Sequence, residues 1–452
     1  MDWTRLQCRL FIGLLLFIAS FAEAETLLTF EGSIEIAQKN NLSIQSQQET
    51  VKSAEAQVRA ARANMLANLA INGNYTYFKD LPKSVLKFSG DGFPLPPQAG
   101  GDGADSPTTE LEFGAHRNFT ATLSLRQPIF AWGRYANAYR SAKLKLEAAR
   151  KEMEAASHRL TLEVTEAFYD VLLAVEFVKV AQQTVDLVDK QLQTAKVLSE
   201  SGAATHFDVL RAEVQFANTK SQLIRAQNQV SIAEDMLKNV LNMELHETLR
   251  VNGSFDLPQV ELDLGWLIQT AIEKRPEIYQ LDFNEQAAGK RVAVSKTRNR
   301  PDLSFFANYQ VDDNERLAEM NRIWNVGFQI NIPLFDGFAA RAAVQGAESG
   351  LRQIQLAKHQ TTDAVELEVR IAYLNLLQSK ALIATQKETV EQAQESVRLA
   401  NLRYTNGMIT SVELTDAQLA LAQAEVNRLQ SQHGYIVGLA RLEKAIGQKL
   451  GN

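Results

Sequence analysis

Glu413 and Asp416 are the residues of this chain best spaced to act together. Three residues apart on a helix, two carboxylates share one face. Such a pair can attract cations, or it can simply favour the positive start of a helix. The stretch around them, "RYTNGMITSVELTD", also carries Tyr404 and Gly407. An earlier stretch, "SESGAATHFDVLR", repeats the order with Gly202, Thr205 and Asp208, but has Arg211 where the second carboxylate would stand. Other reactive residue types are scattered. The six histidines (His116, His158, His206, His246, His359 and His433) show no metal-ligand spacing, and no nucleophile elbow or phosphate loop occurs. The residues therefore suggest no catalytic, cofactor-binding or metal site, and argue against an enzyme. A net charge of −6 without a Lys/Arg block argues against nucleic acid as a partner.

The first 24 residues read as a secretory signal: Arg5 and Arg9, an apolar core from Leu10 to Phe21, then Ala22-Glu23-Ala24. The core falls short of the roughly 20 residues that span a bilayer as a helix. Cys8, the single cysteine, precedes that core. Cleavage before Glu25 would leave a mature chain without thiol or disulfide chemistry, and without a cysteine to carry lipid. No later stretch approaches 18 consecutive apolar residues.

The elements that position the two turns emerge from an internal duplication. Pro128 and Pro333 are 205 apart, as are Ala167 and Ala372, Gly202 and Gly407, Thr205 and Thr410, Asp208 and Glu413, and Leu237 and Leu442. Gly133 and Gly337 slip to 204. Before these, Ala37 and Ala271, Ile44 and Ile278, and Asn74 and Asn308 keep an offset of 234. Offsets held over such lengths mean two copies of one unit. The divisions expected are a signal at 1–24, a first repeat at 25–242, a linker at 243–262 and a second repeat at 263–452. The extra 29 residues of the first copy lie between Phe78 and Phe119, in a Pro/Gly-rich stretch expected to be a long exposed loop without elements.

Four stretches alternate oily and wet. Leu69, Ile71, Gly73, Tyr75 and Tyr77 share one face, and Phe119, Ala121, Leu123 and Leu125 share another. The second copy matches them with Leu303, Phe305, Ala307 and Tyr309, then Val326, Phe328, Ile330 and Ile332. Period two over about ten residues fits a strand long enough for a membrane, and Phe130, Trp132, Trp324 and Phe335 lie at strand ends. Most of the remainder is helical. Leu160, Val164, Ala167, Val171, Ala174, Val178, Ala181, Val185, Val188, Leu192 and Ala195 form a four-three seam. A helix from about Tyr135 to Glu200 would reach roughly 100 Å and needs an equally long neighbour. Val209, Ala212, Phe216 and Thr219 begin the returning seam. Gly202 and Gly407 suit left-handed helix ends, with Thr205 and Ser411 as expected N-caps. The fold class expected is mainly α with a membrane β-barrel. Four strands cannot close a barrel in one chain, since the smallest have about eight, so the chain must oligomerise.

With these residues in place, the chain resembles the TolC-type outer-membrane efflux proteins across nearly all of its mature sequence. The resemblance rests on the duplication, on "NNLSI" and "KRPEI", on "QPIFAWG" and "IPLFDG", and on the two Gly turns. It implies a homotrimer with a twelve-stranded barrel in outer-membrane lipid of a Gram-negative bacterium and a coiled-coil barrel in the periplasm. It also implies an exit duct for a tripartite efflux or type I secretion system. A periplasmic adaptor (membrane fusion) protein and an inner-membrane pump or ABC secretion transporter would dock at the turns, through Gly202, Thr205, Asp208, Gly407, Thr410 and Ser411. A pore gate would use Glu413, Asp416 and Tyr404. Ile409 departs from the family, standing where its best-known member has a basic residue. The alternative, a wholly periplasmic coiled-coil scaffold or adaptor, explains the seams but not four oily strands.

Intact-mass measurement of the membrane form should find a chain that begins at Glu25 and carries no acyl group. An acylated N-terminal cysteine would contradict the signal reading.

Overall fold

The computed structural model describes residues 26–81, 83–87, 108–112, 115–314 and 321–450. The expected signal, Cys8 and Glu25 lie outside them. The chain begins β1 (Thr26–Leu28), α1 (Phe30–Asn40), α2 (Leu42–Ala63), β2 (Asn68–Tyr77), β3 (Lys83–Lys87), β4 (Thr108–Glu112) and β5 (Arg117–Phe130). It continues with α3 (Arg134–Glu200), α4 (His206–Leu241), β6 (Leu249–Val251), α5 (Leu264–Lys274), α6 (Pro276–Ser295), β7 (Asp302–Asn314), β8 (Asn321–Asn331), α7 (Ala339–Thr405) and α8 (Ser411–Ile446). Both long helices, α3 and α7, have 67 residues, and both returning helices, α4 and α8, have 36.

Two compact units share the chain. One takes residues up to Ala54, Lys145–Glu285 and everything from Gln353; the other takes Glu55–Leu144 and Gln286–Arg352. Each unit therefore draws on both sequence copies.

In the helical unit each copy buries its own core. Leu160, Val164, Phe168, Leu237 and Leu241 close around Ala37 and Ile44. Their counterparts Val365, Val369, Leu442 and Ile446 close around Ala271 and Ile278. Fully burying one such aliphatic side chain contributes about 1.5–3 kcal/mol. The expected α3 seam is buried at both ends, but Val178 and Ala181 are only half-buried, and Val180 and Thr184 take the inner positions. A straight helix turns every 3.6 residues, so a strict four-three stripe drifts by about 20° per heptad and must change rows. The stretch expected as a linker contributes β6, which pairs in parallel with β1, Leu27 beside Arg250.

Where the copies differ, they solve one problem twice. In the first, Asn41 closes the gap between α1 and α2: its Nδ2 donates to Val240 O at 2.9 Å and its Oδ1 accepts from Ser43 N at 2.9 Å. In the second, Arg275 stands 234 residues later, only 3% exposed. Its guanidinium forks onto Glu277 at 3.0 and 3.2 Å and pairs with Glu368, which also takes Lys444 at 2.7 Å. Burial opposes charge on Glu277 and Glu368, but the Arg275 bonds outweigh it, so both carboxyls titrate below their ordinary range.

In the strand unit a four-stranded antiparallel sheet runs β2-β5-β7-β8. The two copies meet at β5 and β7, with Leu123 opposite Tyr309. The expectation of an element-free loop between Phe78 and Phe119 is corrected: β3 and β4 pair within it, Val85 opposite Glu110. A stretch rich in Pro and Gly can still hold short strands on either side of them that pair. The slip of the repeat from 205 to 204 also has a structural reason. Both copies turn from strand to helix through two successive left-handed residues: Trp132 and Gly133 (φ 53° and 77°), then Gly337 and Phe338 (φ 62° and 66°). The corner keeps its offset of 205; only the glycine has moved within it. Trp132 is held there by its indole N–H donating to Pro301 O at 2.9 Å, with the Arg300 guanidinium 4.8 Å above the ring.

Replacing Arg275 with Ala should cost about 3 kcal/mol, because two partly buried carboxylates lose their partner. Urea unfolding followed by helical circular dichroism measures it. The wild-type contribution is complete above the unfolded carboxyl pKa, about 4.3, and is lost as pH falls through the lower folded values. The gap between wild type and R275A should therefore close in acid. A gap that does not change with pH would contradict the assignment.

Candidate functional site: an apolar sheet face and two capped turns

Cross-strand register sorts the sheet into two faces. Ile71, Leu123, Tyr309 and Trp324 lie in one row, and Leu69, Leu125, Ala307 and Val326 in the next. The polar face sets Ala70, Ser124, Asn308 and Asn325 in a row, then Asn72, Thr122, Gln310 and Ile323. Asn308 donates to Asn325 at 3.0 Å. The apolar face is open: Ile71 is 75% exposed, Trp324 72%, Phe328 68% and Ile330 66%. An apolar patch of this extent marks a membrane or partner contact. Position 327, on the polar face by alternation, is held by Gly: a Cβ there would meet the Phe306 ring at 3.0 Å.

Both helix turns are built alike. Gly202 (φ 74°) and Gly407 (φ 69°) adopt the left-handed conformation. After each, two amide bonds close the helix: Ala203 N–H to Leu198 O (2.8 Å) with Gly202 N–H to Ser199 O (3.1 Å), and Met408 N–H to Arg403 O (2.9 Å) with Gly407 N–H to Tyr404 O (3.0 Å). This is the Schellman arrangement. The next helix then starts in a capping box. Thr205 Oγ1 accepts from Asp208 N at 3.3 Å, while Thr205 N donates to Asp208 Oδ2 at 3.0 Å. In the second copy Thr410 Oγ1 accepts from Glu413 N at 3.4 Å, while Thr410 N donates to Glu413 Oε2 at 2.8 Å. The expected cap Ser411 is thus corrected to Thr410; Ser411 is the first helical residue. A box needs the acid three residues after the cap, and only Thr410 stands there.

Glu413 and Asp416 are both exposed on the first turns of α8. Glu413 already serves its own helix, and its backbone and hydroxyl bonds from Thr410 hold its carboxyl below the ordinary range. Within one chain it is therefore the counterpart of Asp208, which Thr205 depresses in the same way. Tyr404 is buried, and burial with the Asp208 charge pushes its phenol up. One residue was invisible to sequence reasoning. Gln191, buried on α3, donates to Ser411 O (3.3 Å) and Thr415 Oγ1 (3.1 Å), tying the first copy to the second beside the turn. No local pattern announces a bond across 220 residues.

Comparison with known proteins accounts for this architecture. Residues 33–243 and 267–448 match the family model described as outer membrane efflux protein. The chain belongs to that family. Among its relatives, the alkaline protease secretion protein AprF of Pseudomonas aeruginosa is 24% identical over 74% of this chain and 71% of its own length. The multidrug resistance outer membrane protein MdtP of Escherichia coli is 22% identical over 87% of this chain and 80% of its own. Among solved structures, CusC superposes with a TM-score of 0.77 at 18% identity, over 93% of this chain and 92% of that one. The outer-membrane channel OprN follows at 0.76 and 18%, over 92% and 89%. This outer membrane efflux protein therefore serves as an outer-membrane exit channel for efflux or type I secretion. The outer-membrane location sets the wholly periplasmic scaffold alternative aside.

Gly407→Val should destabilise its turn by about 1–2 kcal/mol, because a β-branched residue resists the left-handed conformation. Nothing lies within 4 Å of the added Cβ, so the cost is purely conformational. Gly407→Asn should cost far less. Hydrogen exchange at Met408 reads the difference: about tenfold faster in the valine variant, since each 1.4 kcal/mol is tenfold. Equal exchange in both variants would contradict it.

Proposed function

We propose that three copies of the chain close a twelve-stranded barrel in the outer membrane and form a duct through which an inner-membrane pump or ABC secretion transporter, joined by a periplasmic adaptor, expels its substrate. One observation carries the closure: a four-stranded sheet with an apolar exposed face and two edges, β2 and β8, that pair with no further strand among the described residues. Lipid offers no partner for edge amides, so the edges must meet other chains. The number three and the adaptor and pump partners come from the family resemblance.

The turns at Gly202–Thr205–Asp208 and Gly407–Thr410–Ser411 are the docking tips in this reading. Their rigidity supports it, because Schellman closure and a capping box fix each tip before a partner arrives. Glu413 and Asp416 of the three chains would ring the narrow entrance, with Tyr404 packed behind. A ring of six carboxylates favours cations. Mutual repulsion within the ring would push their pKa values up, against the lowering that Thr410 gives Glu413 in one chain.

The test must spare the cap. Glu413→Gln keeps an acceptor for Thr410, so Glu413→Gln with Asp416→Asn removes charge alone. In planar bilayers this variant should lose cation selectivity and resist block by trivalent cations. Asp208→Asn, in the first copy, should leave both unchanged. Equal effects from the two copies, or none from either, would overturn the gate.

A further inference from the structure

The last row of the apolar face, where the strands give way to helices, is Phe130, Leu303 and Ile330, set opposite one another across β5, β7 and β8. An aromatic column leads off the sheet from this row. The Phe130 and Trp132 rings meet edge to face with centroids 5.2 Å apart, and the Arg300 guanidinium lies 4.8 Å from the centre of the Trp132 ring. Both rings are about half exposed. Arg300 belongs to the turn between α6 and β7, "KTRNRP", which holds three basic residues and no acidic one. Lys296 is paired with Glu348 at 3.3 Å. Arg298 and Arg300 are exposed, and neither has a carboxylate within ion-pairing distance among the described residues.

The turn that displays these two guanidiniums is fixed. Arg134 Nε donates to Thr297 Oγ1 at 3.3 Å and its Nη2 donates to Thr297 O at 3.1 Å. Arg300 N donates to the same carbonyl at 3.2 Å, and Trp132 holds Pro301 O. The other copy shows that such turns need no basic residues. At the offset of 234, Asn64 and Leu66 stand where Arg298 and Arg300 stand, and Leu66 is exposed. At the offset of 205, Trp132 and Arg134 become Gly337 and Ala339. The ring, its support and the free cations thus occur together in one turn and corner and are all missing from the matching ones. A guanidinium at the edge of an apolar face gains most from an anion that it can grip through two N–H donors, and phosphate is such an anion. An indole beside it suits the depth where acyl chains end and headgroups begin. Zwitterionic and anionic phospholipids both carry phosphate, but the ammonium of the first cancels the charge that the arginines would meet.

We propose that Trp132, Arg298 and Arg300 form a site for an anionic phospholipid in the leaflet at this end of the barrel, with the headgroup phosphate on the two guanidiniums and the upper acyl chain along Trp132 and Phe130. The proposal rests on the closed-barrel reading above, which sets this row at the hydrocarbon boundary, and adds one headgroup site per chain.

Quenching by brominated lipid tests it. With Trp266→Phe and Trp324→Phe, Trp132 is the reporter in the described chain. The protein is reconstituted in phosphatidylcholine vesicles containing a minor share of either phosphatidylglycerol or phosphatidylcholine with brominated acyl chains. A basic residue beside an anionic membrane contributes about fivefold in binding, so two arginines should favour the anionic lipid at Trp132 by roughly thirtyfold. Arg298→Gln with Arg300→Gln should bring the two lipids level. Should that variant fail to insert, Arg298→Gln alone, which leaves the Trp132 contact in place, should lower the preference about fivefold. A second reporter protein keeps Trp324, near the opposite end of the sheet, in place of Trp132 and should show little preference. Inorganic phosphate at millimolar concentration should not compete. If neither lipid quenches Trp132, this row does not meet a membrane, and the closed-barrel reading falls with the site. If both lipids quench it equally, if the preference survives loss of the arginines, if Trp324 shows it as strongly, or if free phosphate abolishes it, the lipid site is refuted and the barrel reading stands.

Discussion

An unpaired strand edge cannot exist in hydrocarbon. Each orphaned amide or carbonyl there costs on the order of several kcal/mol, and no water is present to relieve it. In this chain the constraint falls on β2 and β8, the two ends of a four-stranded sheet whose apolar face is open. A soluble sheet of four strands could bury that face against helices and leave its edges to water. Here the face carries Ile71, Trp324, Phe328 and Ile330, all largely exposed. On the proposed reading the sheet is one part of a larger closed object, joined at its edges by backbone hydrogen bonding more than by any side-chain contact.

The same economy governs the helices. A helix of 67 residues has far more surface than one chain can cover. Each copy buries one stripe against its own returning helix and against its short first helix, around Val164 and Leu237 or Val369 and Leu442. The remaining stripes stay available. The Schellman turns and capping boxes at Gly202–Asp208 and Gly407–Glu413 then end both hairpins at matching positions of the repeat.

Much of this was legible because periodicity is local. The alternation at Leu69–Tyr77 and Val326–Ile332 announced strands and faces, and the proline-free run around the four-three seam announced α3, expected from about Tyr135 to Glu200 and observed from Arg134 to Glu200. The offset of 205 already paired Thr205 with Thr410 and Asp208 with Glu413, so the correct cap was available from the repeat although Ser411 was expected. What could not be read depends on distance or brevity. Arg275 meets Glu368 across 93 residues, and Gln191 meets Ser411 across 220. Three-residue strands such as β1 and β6 have too few positions to show a period. The β3–β4 hairpin was hidden by prolines and glycines around it. The role of Glu413 was legible as an acid on a helix face, but its bond to Thr410 shows that its charge also belongs to a helix start.

The central claim is that the apolar sheet face meets lipid, and a single tryptophan can test it. With Trp132→Phe and Trp266→Phe, Trp324 remains as the reporter in the described chain, 72% exposed on that face. A companion variant adds Trp324→Phe and moves the tryptophan to the polar face with Asn325→Trp. Reconstituted in vesicles of acyl-chain-brominated lipid, Trp324 should be strongly quenched by the bromines and little affected by aqueous iodide, and the residue-325 reporter should show the reverse. Equal bromine quenching at both positions, or iodide quenching at Trp324, would show that this face does not meet hydrocarbon and would contradict the account.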